Sequence, residues 1–155
     1  MRQSAPPSLK ASRSKQSKEL SPAQVHGRLL VADDDPVFRQ LLASALRAAA
    51  YEVVEVSNGA DLFEVLDRSL TAEAGIGSFD LVLSDVLMPG WTGLEVLANL
   101  GHGRSLPPVI LITAFADNEL CRRAKSAGAL TVFRKPLDVD DLCLFVRRFL
   151  QLRTN

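Results

Sequence analysis

Charged and hydroxyl side chains stand at the ends of four of the five short apolar runs in this sequence. They are Asp33, Asp34 and Asp35 after the first run, Asp85 after the third, Thr113 after the fourth and Lys135 after the fifth. Crowded carboxylates repel one another, and a hard divalent cation such as Mg²⁺ relieves this because it prefers oxygen ligands. An ammonium and a hydroxyl beside such a cation can bind the oxygens of a phosphoryl group. Because no cysteine, histidine or serine base accompanies them, a carboxylate is the obvious nucleophile.

These side chains meet only if the apolar runs form neighbouring parallel strands. The predicted strands are residues 29–32, 51–56, 81–83, 108–112 and 131–134. Apolar residues at helical spacing predict five helices, which begin at 36 or span 60–70, 93–100, 118–127 and 137–152. This alternation predicts a parallel, doubly wound three-layer α/β sandwich with right-handed crossovers. Ligands of such sheets bind beyond the carboxyl ends of the strands, where the polar residues stand.

Composition indicates one domain with a tail. The 155 residues carry 18 basic and 18 acidic side chains, and 47% are apolar. Residues 1–27 hold five basic side chains against one acidic, a net charge of +4, and few large apolar ones. We therefore predict a disordered basic tail at 1–27, a domain at 28–152 and a C-terminal end at 153–155. The absence of a secretory signal, a long apolar stretch and a disulfide framework favours a cytoplasmic protein without membrane contact.

Each of the polar residues also has a purely structural explanation. Asp35 before Pro36 is typical of a helix N-cap, Asp85 alone is compatible with a turn, and Lys135 with a solvated surface charge. Their coincidence at four strand ends favours a joint site over these separate explanations.

Residues 28–152 resemble the receiver domain of bacterial two-component response regulators. The matching stretches are LLVADDDPVFRQLL, FDLVLSDVLMPGWTG, PPVILITAFAD and GALTVFRKPLD, in the order and spacing of that family. The resemblance implies a flavodoxin-like doubly wound (βα)5 three-layer sandwich with a five-stranded parallel sheet. It also implies a phosphoacceptor signalling protein rather than an enzyme, one that assists its own phosphotransfer and dephosphorylation.

The same resemblance implies a role for each site residue. Asp85 would accept a phosphoryl group from a histidine kinase or histidine phosphotransfer protein. Asp33 and Asp34 would hold Mg²⁺ together with Asp85 and the main-chain carbonyl of Leu87. Thr113 would hydrogen-bond the phosphoryl group, and Lys135 would pair with its oxygens or with Asp85. The peptide bond before Pro136 would be cis.

Three positions bear on switching and on the lifetime of the phosphorylated state. Most family members carry Tyr or Phe where this chain has Val132, and Phe133 should lie on the opposite face of the strand. Leu87 and Phe115, two residues after Asp85 and Thr113, flank the path of an attacking water. Both are apolar and offer it no hydrogen bond, which predicts slow dephosphorylation.

Other readings weigh less. A haloacid-dehalogenase-type phosphatase needs an acid at position 87, and a dinucleotide-binding domain needs glycines where Asp33–Asp35 stand. The remaining alternative is a receiver-like adaptor that works without phosphorylation. Such adaptors lack some of the acids, the threonine or the lysine, and this chain has them all.

We further expect output by phosphorylation-dependent contact with a downstream protein target. The expected surface is the face of the fourth helix, fifth strand and fifth helix. Its predicted basic residues are Arg122, Arg123, Arg134, Arg147 and Arg148. We expect a monomer or a phosphorylation-linked homodimer, with no DNA-binding domain in this chain.

Overall fold

A computed structural model describes residues 24–71 and 77–155. The strands are β1 Arg28–Ala32, β2 Glu52–Val56, β3 Leu81–Asp85, β4 Val109–Thr113 and β5 Thr131–Arg134. The helices are α1 Pro36–Ala48, α2 Gly59–Thr71, α3 Gly93–Leu100, α4 Asn118–Ser126 and α5 Val139–Thr154. All strands are parallel, in the order β2-β1-β3-β4-β5, so the predicted flavodoxin-like α/β fold is confirmed.

Alternation along the strands divides the core into two layers. Leu30 and Val82 pack against the layer beneath α2, α3 and α4, whereas Leu29, Val31 and Leu83 pack against the layer beneath α1 and α5. Because β1, β3 and β4 are covered on both faces, each contains a continuous apolar run: 29–32, 81–83 and 109–112.

The strand register places the polar residues at one edge. Ala32 pairs with Ser84, so Asp33 follows β1 level with Asp85 at the end of β3. On the other side of β3, Asp85 pairs with Ile112 and Thr113 follows directly. Strand order reverses between β1 and β3, and this switch point is where such sheets bind ligands.

Helix ends follow local side-chain chemistry. Asp35 is the N-cap of α1, as predicted, since its Oδ1 accepts a hydrogen bond from the amide of Val37 at 2.9 Å. Asp138 caps α5 in the same way, so that helix begins at Val139 rather than at 137. In α1 the buried face includes Ala43 and leaves Leu41 exposed, because Leu41 lies on the outer side of the helix.

The predicted tail at 1–27 lies outside the described residues except for 24–27. Among the helices of the part that the structure describes, none has the length and apolar character needed to cross a membrane.

Candidate functional site

A lysine bridges two buried carboxylates at the switch point of the sheet. The Nζ of Lys135 donates to Asp33 Oδ2 at 2.8 Å and to Asp85 Oδ2 at 3.0 Å. The second oxygen of each carboxylate accepts a backbone amide, from Asp35 at 2.9 Å and from Leu87 at 3.0 Å. Every oxygen of the two carboxylates therefore accepts one hydrogen bond from the protein, and both carboxylates lie where the strands end.

Asp34 completes an acidic cluster with these two residues. One carboxylate oxygen from each of Asp33, Asp34 and Asp85 lies within 4.8 Å of the others. Asp34 is exposed, so the cluster is open to solvent on its side. A donor set made only of carboxylate oxygens, with room for water, suits Mg²⁺ rather than a softer metal. These residues fit the predicted cation.

Burial and neighbouring charges shift the pKa values of two groups at the site. Burial raises the pKa of Asp85, and the charge of Asp33 adds to this against the opposing hydrogen bond from Lys135. Burial alone would lower the pKa of Lys135, but the hydrogen bonds to Asp33 and Asp85 outweigh it and raise that pKa. The ammonium therefore stays charged between the two acids.

Thr113 ends β4 between the strand that ends in Asp85 and the strand that precedes Lys135, and its carbonyl oxygen accepts the amide of Lys135 at 2.8 Å. Thr113 is buried, and its Oγ accepts a hydrogen bond from the amide of Phe115 at 3.1 Å. The Phe115 side chain is 73% exposed and that of Leu87 53%. With Val86 and others they line a small cavity of about 210 Å³ that reaches Thr113. Leu87 and Phe115 are thus exposed beside Thr113, in a lining that also includes the charged residues Asp117, Glu119 and Arg123.

The loop after Asp85 depends on two glycines. A Cβ on Gly93 would lie 2.3 Å from the carbonyl oxygen of Asp85, and one on Gly59 would lie 1.8 Å from that of Trp91. Trp91 also packs edge-on against Phe63, with 4.8 Å between ring centroids. The two glycines therefore allow the loop that carries Leu87 to lie directly against neighbouring backbone.

Sequence reasoning missed two residues of α1. The ring of Phe38 lies 4.3 Å from the Nζ of Lys135, and the guanidinium of Arg39 donates to the carbonyl of Asp33 at 2.8 Å. Both residues stand within six positions of Asp33 on the first turn of the predicted helix. Their closeness to Asp33 in the sequence is the signal that could have identified them. The direction of each side chain, however, depends on the packing of α1 against the sheet.

The strand before Lys135 has the predicted alternation. Val132 packs against the layer beneath α2, α3 and α4, and Phe133 against the layer beneath α1 and α5. Phe133 meets Phe145 of α5 with 5.2 Å between ring centroids. The predicted cis peptide before Pro136 is also present.

The five arginines predicted to form one basic face do not share it. Arg122 and Arg123 line a groove of about 490 Å³ between α3 and α4. Arg147 lies in a separate cavity beside Tyr51, at the other end of the sheet. Arg134 is exposed on the edge strand, and Arg148 follows Phe145 by one helical turn on the same side of α5. Their different places on α4, β5 and α5 separate them.

A doubly wound sheet with acids and a lysine at its carboxyl edge is the architecture of flavodoxin-like signalling domains. The family model of the response regulator receiver domain matches residues 29–147. The chain therefore belongs to the family of response regulator receiver domains.

Individual relatives agree with this assignment. Sporulation initiation phosphotransferase F of Bacillus subtilis is 29% identical over 128 residues, covering 83% of this chain and 97% of that protein. The transcriptional regulatory protein PdtaR of Mycobacterium tuberculosis is 33% identical over 135 residues, covering 84% of this chain but 62% of that protein. The BeF3-activated DrrB receiver domain matches with a TM-score of 0.67 and 27% identity, covering 81% of this chain and 97% of that structure.

Proposed function

We propose that Asp85 is the phosphoacceptor of this receiver domain and that a histidine kinase or histidine phosphotransfer protein is the donor. The observation that carries the proposal is the cluster of three carboxylates within 4.8 Å, two of them bridged by Lys135. In the reaction, a carboxylate oxygen of Asp85 attacks phosphorus in line with the N–P bond of phosphohistidine. The imidazole leaves with the electrons of that bond.

The neighbouring residues stabilise the negative charge of the phosphoryl group during this transfer. We propose that Asp33, Asp34, Asp85 and the carbonyl of Leu87 hold Mg²⁺, which neutralises phosphoryl oxygens when bound. Lys135 can release one carboxylate oxygen and pair with a phosphoryl oxygen instead. The hydroxyl of Thr113 keeps its proton free to donate, because its oxygen already accepts the amide of Phe115.

Loss of the phosphoryl group is the second reaction at this site. We propose that the domain assists its own dephosphorylation only weakly, because Leu87 and Phe115 cannot orient a water molecule. A domain of this kind acts as a signalling protein in the cytoplasm rather than as an enzyme on a separate substrate.

The site test compares two aspartate substitutions of the same kind. Wild type, Asp85→Asn and Asp138→Asn are incubated with acetyl phosphate and Mg²⁺, and intact mass is measured. Asp138 only caps α5, and asparagine caps equally well. We expect wild type and Asp138→Asn to gain one phosphoryl group and Asp85→Asn to gain none. Modification of Asp85→Asn would reject the assignment.

The same experiment separates phosphoacceptor from adaptor. An adaptor that works without phosphorylation would gain no phosphoryl group in any variant, with or without Mg²⁺. Profiling phosphotransfer from the histidine kinases of the host would then identify the donor for a phosphoacceptor.

The arginines provide two candidate surfaces through which the domain can contact another protein. We propose a downstream protein target with acidic groups, bound by the domain as a monomer or a phosphorylation-linked homodimer. Charge reversal of Arg122 and Arg123 tests the groove between α3 and α4, and reversal of Arg134 and Arg148 tests the edge of β5. The pair whose reversal lowers recovery of the partner marks the surface. Unchanged recovery for both pairs rejects a basic contact.

A further inference from the structure

The ammonium of Lys135 has a third neighbour besides its two carboxylates. It donates to Asp33 and Asp85, and the ring centroid of Phe38 lies 4.3 Å from Nζ. A cation within about 6 Å of an aromatic ring is attracted by the negative face of the ring. The side chain of Lys135 is 20% exposed, so the ring and the acids together shield most of it from water.

Phe38 is held in place independently of Lys135. Asp35 caps α1 and accepts the amide of Phe38 at 3.4 Å, and Pro36 occupies the first turn. The half-buried ring also packs against the core layer beneath α1 and α5. The position of the ring is therefore set by the start of the helix and by the core, and the flexible lysine adapts to it.

At this position an aromatic ring combines two useful properties. It attracts the ammonium without adding a negative charge beside Asp33 and Asp85, which a third carboxylate would do. It also offers Lys135 no ordinary hydrogen bond that would draw it away from the acids. The ring thus favours the position of Nζ that bridges both carboxylates.

We infer that Phe38 is a positioning residue that holds Lys135 on the acidic cluster and so makes the lysine compete with a divalent cation. This inference rests on the proposed function of the same site. The competition follows from the oxygens involved. Lys135 occupies Oδ2 of both Asp33 and Asp85, while their Oδ1 atoms accept backbone amides. A cation that enters the cluster brings a second positive charge beside the ammonium, so the two compete for the same carboxylates.

The first test measures Mg²⁺ affinity from the dependence of melting temperature on Mg²⁺ concentration. Phe38→Leu removes the ring and keeps the apolar packing, and Phe38→Tyr keeps a ring as the matched control. We expect Phe38→Leu to bind Mg²⁺ about twofold to fivefold more tightly, the factor that corresponds to a partly exposed cation–π contact. Phe38→Tyr should bind as wild type does. Equal affinity in Phe38→Leu and wild type overturns the inference.

The second test shows whether the effect passes through the lysine. In a Lys135→Met background, Phe38→Leu should leave Mg²⁺ affinity unchanged, because no ammonium remains to position. A further gain in that background would mean that Phe38 acts on the acids directly, which rejects the positioning role.

A third measurement needs no metal and separates this inference from the proposed function. Denaturant unfolding of wild type, both single variants and the double variant gives the coupling between Phe38 and Lys135. We expect a coupling of about twofold to fivefold in the folding equilibrium constant. If wild type ignores Mg²⁺ but this coupling is present, the proposed metal site fails and the contact stands. If wild type binds Mg²⁺ but the coupling is absent, only the role of Phe38 fails.

Discussion

The two sides of Asp85 are built from different interactions. On the lysine side, Lys135 bridges Asp85 to Asp33 and lies against the ring of Phe38. The other side is named the phenylalanine side after Phe115. There the amide of Phe115 donates to the side-chain oxygen of Thr113, and the Phe115 side chain is 73% exposed. Charge and packing hold the first side. On the second side Thr113 is buried at the end of β4, but the side chain of Phe115 is largely exposed to solvent.

This contrast has a consequence for signalling. A new phosphoryl group on Asp85 would meet a lysine that is already ordered, whereas the exposed side chain of Phe115 has little packing to lose by moving. The neighbouring helix α4 is weakly anchored as well, since Ala124 is its one buried residue. We therefore expect the lysine side to set the stability of the resting state, and the phenylalanine side to set the lifetime and the response.

The largest expected effect concerns the phenylalanine side. Leu87→Asn combined with Phe115→Glu should speed loss of the phosphoryl group by about tenfold to a hundredfold, because the polar groups can orient the attacking water. A time course of phosphate release from phosphorylated protein measures this. A wild-type half-life of seconds, or a double variant no faster than wild type, would contradict the assignment of lifetime to this side.

The second-largest expected effect is a difference between the two sides in their contribution to the stability of the metal-free protein. Lys135→Met leaves the buried carboxylates of Asp33 and Asp85 unpaired. It should lower the free energy of unfolding by about 2 kcal/mol, between the values for buried and exposed pairs. Phe115→Ala removes an exposed side chain and should change it by less than about 0.5 kcal/mol. Denaturant unfolding compares them, and similar losses for both variants would remove the contrast.

Magnesium should stabilise the folded domain by mass action. At ten times its Kd, Mg²⁺ should add about 1.4 kcal/mol and raise the melting temperature by a few degrees. Asp34→Ala should abolish this gain and leave the metal-free protein as stable as wild type or slightly more so, because one repelling charge is gone. A melting curve that ignores Mg²⁺, with no effect of Asp34→Ala, would count against the shared site.

The smallest effect is a dependence on alkaline pH. Because the folded state raises the pKa of Lys135, its ammonium stabilises the fold fully below the ordinary value of 10.5. That contribution is lost as the pH rises through the higher pKa of the folded state. The stability gap between wild type and Lys135→Met should therefore narrow above 10.5, while the gap to Phe115→Ala stays constant. A constant gap for Lys135→Met would show that the ion pairs do not shift the pKa.

Much of the fold and part of the candidate site could be predicted from the sequence. The apolar runs and the cap residues are local signals, so the order and approximate ends of the elements were predictable. Parallel strands carry their carboxyl ends to one edge, and this brought Asp33, Asp85 and Lys135 into one prediction. The contributions of Phe38 and Arg39 were not predictable, because a helix start does not reveal which way its side chains point.

By itself, the sequence determined which residue types stand at the strand ends and how strands and helices alternate. Both are properties of short segments, set by the period of apolar residues and by turn chemistry. Only the tertiary structure decided that Lys135 joins two carboxylates, that Phe38 faces the lysine and that Arg122 and Arg147 lie on separate surfaces. Strand order and the distances between elements are set by long-range packing of the whole core, which no short segment contains.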